Sequence, residues 1–192
     1  MTGEDVTLGI DIGTSALKAV VAAPDGTVLA RRRIPNRLGL PTSERMEHDA
    51  RQAWRQSPRR VLADFQRLGV PDPRAICVAG VVPSLAAVDS RGVPMSPGLL
   101  YGDTRGALPP EVATRPVGRA PELLRRLVMD VPGAGGYWPV QAVANCALGG
   151  PGAIDVTTAL AMSPLFSGAS WDDQVCEKAG CATECLPEVA GL

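Results

Sequence analysis

The constraint that most limits this chain lies in its first 33 residues. Three β-rich runs, residues 6–12, 16–23 and 27–33, are divided only by Gly13-Thr14-Ser15 and by Pro24-Asp25-Gly26. Parallel neighbours need a crossover of about a dozen residues or more, so three-residue turns can join these runs only as antiparallel partners. The chain therefore opens in an antiparallel meander, not in a βαβ unit. Asp49 is placed to cap a helix over residues 50–68, with Trp54, Val61, Leu62, Phe65 and Leu68 as its apolar stripe. Pro58 falls inside that stripe and predicts a kink or a split, and Gly69 a stop. Residues 75–82 read as a buried strand containing the Cys77 thiol, and residues 85–88 as the next strand before the hairpin-type turn Asp89-Ser90-Arg91-Gly92. Strands, a helix and strands again predict an α/β domain with a mixed sheet. Beyond Gly106 the pattern predicts short helices over 121–129 and 140–148, then a turn-rich tail.

Composition narrows the function. The chain has 192 residues, 45% of them hydrophobic and 20% charged, which suits one ordinary domain or two small ones. A formal net charge of -1 gives no general electrostatic grip on nucleic acid or an anionic membrane. The amino terminus, with Glu4 and Asp5, lacks the basic stretch and long apolar core of a secretory signal. No run approaches the ~20 apolar residues of a membrane span, so no membrane partner and a cytoplasmic location are the expectation. Cys176, Cys181 and Cys185 have a Cys-x4-Cys-x3-Cys spacing that misses common zinc patterns, and they read as ordinary thiols. His48, the sole histidine, reads as a surface or loop-bracing residue, and Trp138 and Trp171 as packing residues.

Asp11-Ile12-Gly13-Thr14-Ser15 joins the first two runs. A carboxylate at a strand end suits a hydrated magnesium ion, and a glycine turn exposes amides and hydroxyls that suit phosphate oxygens. Lys18 either adds positive charge there or points to solvent, and the whole motif reads either as a phosphate cradle or as a polar hairpin turn. Neither G-x-G-x-x-G nor G-x-x-x-x-G-K-[ST] is present, which excludes the usual dinucleotide and Walker-loop readings.

Leu8-Gly-Ile-Asp-Ile-Gly-Thr-Ser-Ala-Leu-Lys18 resembles the opening of the FGGY carbohydrate kinases, the family of xylulokinase, glycerol kinase and gluconokinase. Arg45-Met-Glu-His-Asp49 with Trp54, Ala75-Ile-Cys-Val-Ala-Gly80, the turn from Val88 to Pro97 and Leu99-Leu-Tyr-Gly-Asp-Thr-Arg105 resemble that family's next segments in order. The likeness covers nearly the whole chain and is tightest over residues 6–105. It implies an actin-like (ribonuclease H-like) α/β fold and a single FGGY-type N-terminal domain over residues 1–192. It also implies ATP and Mg2+ as cofactors and a small sugar or polyol as substrate. Asp11 would organise the metal, Gly13, Thr14, Ser15 and Lys18 would face the nucleotide phosphates, and Ser84, Tyr101, Asp103 and Arg105 would lie at the sugar. Asp103 and Arg105 read equally as a pair that pins its own loop.

Two departures qualify the resemblance. Xylulokinase-like members carry Gln-Met-His-Gly after the core strand, where this chain has Val81-Val-Pro-Ser-Leu85, with Ser84 the one hydroxyl. The family's general base and its C-terminal nucleotide-binding domain lie beyond Leu192, so no residue here is assigned as catalytic. A lost general base alone costs about 10²- to 10⁴-fold. The expectation is a kinase-type domain needing a separate C-terminal domain, or a second copy of itself, with a non-catalytic sugar- or protein-binding remnant as the alternative.

Overall fold

The structure is a computed structural model and describes residues 5–107 and 118–191, so Glu4 lies outside the described residues. The meander is present. β1 (Thr7–Ile12) pairs antiparallel with β2 (Ala16–Ala22), and β2 with β3 (Val28–Pro35). β6 (Ala75–Gly80) joins the other edge of β1 in parallel, giving the order β3-β2-β1-β6. The long connection from β3 to β6 supplies the crossover that a parallel partner requires.

This sheet is covered on one face. Leu8, Ile10 and Ile12 of β1 are buried while Thr7, Gly9 and Asp11 are exposed. In β6 only Val78 is buried, and Cys77 is exposed, which corrects the reading of that strand as buried throughout. A continuous apolar run does not reveal whether both faces of a strand are covered; the period of two decides only which residues share a face.

The helix after Asp49 is split where Pro58 predicts it. Residues Arg51–Gln56 form a π turn, in which the Ser57 N–H bonds the Gln52 carbonyl five residues back, and α1 (Ser57–Arg67) follows. Asp49 caps the segment through the Gln52 N–H at 3.0 Å. Val61 and Phe65 of α1 are buried against the first sheet, whereas Leu68 lies past the helix end and is exposed.

A second sheet has the order β4-β5-β8-β7-β9, from β4 (Leu38–Gly39), β5 (Glu47–His48), β7 (Ser84–Val88), β8 (Gly98–Leu100) and β9 (Gly136–Trp138). β7 is buried along its whole length because it lies between two cores. Ala86 and Val88 face the core shared with β1 and α1, and Leu85 and Ala87 face the one built on α2 (Arg119–Asp130). α2 presents Leu123, Leu124 and Leu127 to that second core, the spacing of one helical face. α3 (Val140–Ala147) places Val140 and Val143 in the first core.

The tail is more regular than its composition suggests. β10 (Ala153–Asp155) pairs in parallel with β11 (Glu188–Ala190), flanking α4 (Val156–Leu160) and α5 (Asp173–Lys178). Asp155 and Asp172 cap those two helices by accepting from the Thr158 and Val175 N–H groups at 2.7 and 2.9 Å. Trp171 packs edge-on against Phe166 with ring centroids 5.4 Å apart. No helix of the described residues is long and apolar enough to cross a membrane.

Trp54 is the largest fully buried side chain, and its ring lies across Gly98 of β8. A Cβ on Gly98 would meet that ring at 2.1 Å. Gly98→Ala is therefore expected to cost roughly 1–3 kcal/mol of stability through overpacking, read as a lower midpoint in urea denaturation.

Candidate functional site

The turn between β1 and β2 is held from behind by two side chains. Asn36 Nδ2 donates to the Gly13 carbonyl at 2.8 Å, and the Asn36 N–H to the Ser15 carbonyl at 3.0 Å. The middle carbonyl, of Thr14, lies 2.8 Å from His48 Nε2. His48 Nδ1 accepts from the Trp54 indole N–H at 3.1 Å, so the ring's one proton sits on Nε2 and is donated to Thr14. All three carbonyls of Gly13-Thr14-Ser15 are thus bound into the fold. The hydrogen bonds among the described residues use neither the Thr14 N–H nor the Ser15 N–H. The Gly13 N–H closes the turn onto the Ala16 carbonyl at 3.0 Å, and a turn with its carbonyls tied inward and its two other amides unengaged has the polarity of an anion cradle.

Asp11 stands at the end of β1 beside this turn, opposite Lys18 of β2, with Lys18 Nζ 3.6 Å from Asp11 Oδ2. Both side chains are more than half exposed, so their pairing contributes little to stability. A Cβ on Gly13 would meet Ala16 O at 3.4 Å and Asp11 Oδ2 at 4.0 Å, and otherwise open space. Gly13 also has no positive φ. The glycine is therefore not demanded by backbone strain; it leaves room in front of the Asp11 carboxylate.

The second group of residues is closed on itself. Asp103 is fully buried (0% exposed), and Arg105 grips it through Nε at 3.0 and 3.1 Å and through Nη2 at 2.5 Å. Arg105 Nη2 also reaches Glu47 Oε2 at 2.8 Å. The Met46 N–H donates to Asp103 Oδ2 at 3.2 Å, tying the segment to the approach to β5. Hydrogen bonding to Asp103 raises the Arg105 pKa above its ordinary value, against the effect of burial. Tyr101, one residue past β8, is 45% exposed.

The fold brings most of the sequence-derived residues into one connected region. Asp103 and Arg105 bind Glu47, its neighbour His48 binds Thr14, and Thr14 lies between Gly13 and Ser15 beside Asp11 and Lys18. A cleft of about 520 Å³ opens along β5, lined by Arg37, Glu47, His48, Asp49, Arg51 and Met95 among others. Ser84 is placed differently: it is fully buried in β7 and accepts from the Val140 N–H at the head of α3, at 3.3 Å. His48 is not a surface residue; at 1% exposed it braces the turn from the interior. Sequence reasoning missed Asn36, although counting the β2–β3 register one step past Ala16↔Pro35 sets it opposite Ser15.

The chain matches the FGGY family of carbohydrate kinases, N-terminal domain, over residues 6–113. It is 32% identical over 101 residues to a xylulose kinase of Staphylococcus xylosus and 27% identical over 100 residues to one of Escherichia coli. Those alignments cover 51% and 52% of this chain but only 20% and 21% of the two enzymes. Among solved structures, the fold matches a xylulose kinase from Rhodospirillum rubrum at TM-score 0.78 and 22% identity, over 96% of this chain and 43% of that one. A gluconate kinase from Lactobacillus acidophilus matches at TM-score 0.80 and 17% identity, over 96% of this chain and 42% of that one. The chain thus spans less than half the length of the solved structures it resembles and about a fifth of the curated relatives.

Two predictions follow from the geometry. Burial lowers the His48 pKa below its ordinary value, opposed by the bond to Thr14, so the folded state prefers the neutral ring. That stability is complete above the free-imidazole pKa of about 6.5 and is lost as pH falls below it toward the folded value. The Tm should drop as pH falls below about 6.5, and His48→Gln should flatten this part of the profile, since no other histidine exists. Separately, Arg105→Met leaves the buried Asp103 carboxylate uncompensated and should cost about 3–5 kcal/mol in chemical denaturation.

Proposed function

The chain belongs to the FGGY family of carbohydrate kinases, N-terminal domain, and we propose that it serves ATP-dependent phosphorylation of a sugar or polyol hydroxyl in concert with a nucleotide-binding second domain. The observation that carries this reading is the turn at Gly13-Thr14-Ser15, whose carbonyls are held by Asn36 and His48 while the Thr14 and Ser15 amides stay unengaged among the described residues, beside Asp11. Phosphoryl transfer depends chiefly on positioning and on stabilising charge around the moving group, and such a turn supplies both.

The residues fit the family's cofactors. Asp11 is a half-exposed carboxylate with open space before it, the hard oxygen donor that magnesium takes together with phosphate oxygens and water. Among the described residues no cluster of three or more His, Cys, Asp or Glu could hold a metal alone, which suits an ion held mainly by nucleotide and water. When bound, the ion would offset phosphate charge. The amides of Thr14 and Ser15 would orient the phosphates, with Lys18 adding positive charge at the rim. Tyr101 and the Asp103–Arg105 segment would border the sugar.

A second reading, a non-catalytic sugar- or protein-binding module, is favoured by one observation: Asp103 and Arg105 already satisfy each other and Glu47, and so hold their loop without a ligand. The two readings separate in a mixture of the full chain with a matched C-terminal kinase half. Sugar-dependent ATP consumption across pentoses, ketoses and polyols supports the kinase; its absence, with sugar binding retained in calorimetry, supports the module. In an active mixture, Gly13→Ala should leave the unfolding midpoint nearly unchanged and lower turnover by roughly 10²-fold, the scale for misplacing a reacting group.

A further inference from the structure

The first sheet is covered by helices on one face only, and beside the Gly13–Ser15 turn its open face is basic. The register sets Lys18 of β2 between Asp11 of β1 and Arg33 of β3, and the next row on the same face is Gly9, Val20 and Arg31. Asp11, Lys18, Arg31 and Arg33 are all exposed. Arg32, between the two arginines in sequence, turns to the covered face, with its guanidinium 5.9 Å from the centroid of the Phe65 ring of α1. Lys18 and Arg33 are therefore like charges directly opposite on one face, an arrangement that weakens a strand pair. Asp11 is the one carboxylate on these two rows, and it offsets Lys18 only through an exposed pairing of little strength. Neither the Arg31 nor the Arg33 guanidinium pairs with a carboxylate among the described residues. A Cβ on Gly9 would meet nothing within 4 Å, so the face above these rows is open.

We propose that Arg33, with Arg31 beside it, extends the Gly13–Ser15 cradle into a binding face for the polyphosphate chain of a nucleoside triphosphate, an extension that rests on the reading of that turn as a phosphate site. The spacing of the cations suits a chain of phosphates better than a single one. Lys18 and Arg33 stand one strand apart, ~5 Å, and Arg31 lies two residues further along β3, ~7 Å. The unengaged Thr14 and Ser15 amides end the row at the turn. Each guanidinium presents a planar fork of donors that matches phosphate oxygens two at a time. A bound polyanion turns the repulsion between Lys18 and Arg33 into a shared attraction, and the weak pairing with Asp11 releases Lys18 at small cost. Overall charge does not supply this attraction, because the chain carries a formal net charge of -1. The grip is local to one half of one sheet face.

The test titrates the full chain with inorganic tripolyphosphate in a calorimeter at low ionic strength, with circular dichroism confirming that each variant is folded. The expected result is binding that ATP displaces and that added salt weakens. Arg33→Met should raise the Kd about 10-fold or more, the scale of a lost charge-assisted hydrogen bond, while Arg32→Met leaves it unchanged. Both substitutions remove one positive charge from the same strand, so the difference between them reads the face and not the net charge. No binding by the folded chain, failure of ATP to displace the tripolyphosphate, or equal losses in the two arginine variants would each overturn the proposal. Weaker binding in Lys18→Met with none lost in Arg33→Met overturns it too, while keeping the turn itself as a phosphate site. The kinase reading stands or falls separately, on sugar-dependent ATP consumption in the mixture with a C-terminal half.

Discussion

Much of this fold hangs on one buried imidazole. His48 accepts from the indole of Trp54 on one side and donates to the Thr14 carbonyl on the other, so its two nitrogens join the helical segment, the second sheet and the turn of the first. Neither partner is interchangeable in sense, because the indole can only donate and the carbonyl can only accept. The ring is thereby fixed in tautomer and orientation. Trp54 in turn lies over Gly98, which sits on the strand paired with β5, so packing and hydrogen bonding converge on the same few residues.

Around that link the molecule holds two polar assemblies of opposite character. The Asp103–Arg105–Glu47 group is closed: donors and acceptors match within the chain, and its charges are shielded from water. A buried pair of this kind is weak evidence for net stability, but removing one member leaves the other without compensation. The Gly13–Ser15 turn is open: its three carbonyls are held by Asn36 and His48, while the Thr14 and Ser15 N–H groups are unengaged among the described residues. Rigidity in the closed group and availability in the open one suit a scaffold that positions one part of its surface by fastening another.

The sequence revealed the local geometry well and the distant geometry poorly. Short turns dictated the meander, Pro58 the split helix and Gly69 its end, because each depends on neighbours in the chain. Motif alone singles out Asp11, Gly13, Thr14, Ser15, Lys18, Asp103 and Arg105 as candidates, and contacts through Glu47 and His48 connect them. What was missed depends on burial across the fold. Cys77 and Val78 are both apolar, and only the cover on one face of β6 separates exposed from buried. Ser84 carried no local sign that its hydroxyl would serve the head of α3. Asn36 was legible only through strand register, and β10 and β11 are three residues each, too short to show an alternation.

The π turn at Arg51–Gln56 has a geometric corollary. It amounts to one residue inserted into an α-helix, and each residue advances a helix by about 100°. The insertion sets the azimuth between Trp54, which serves the His48 link, and the Val61–Phe65 face that covers the first sheet. Removing one residue from this turn would regularise the helix yet swing one of those surfaces off its target. The irregular turn acts as a phase adjuster, reconciling two docking directions that an unbroken helix of this sequence could not serve at once.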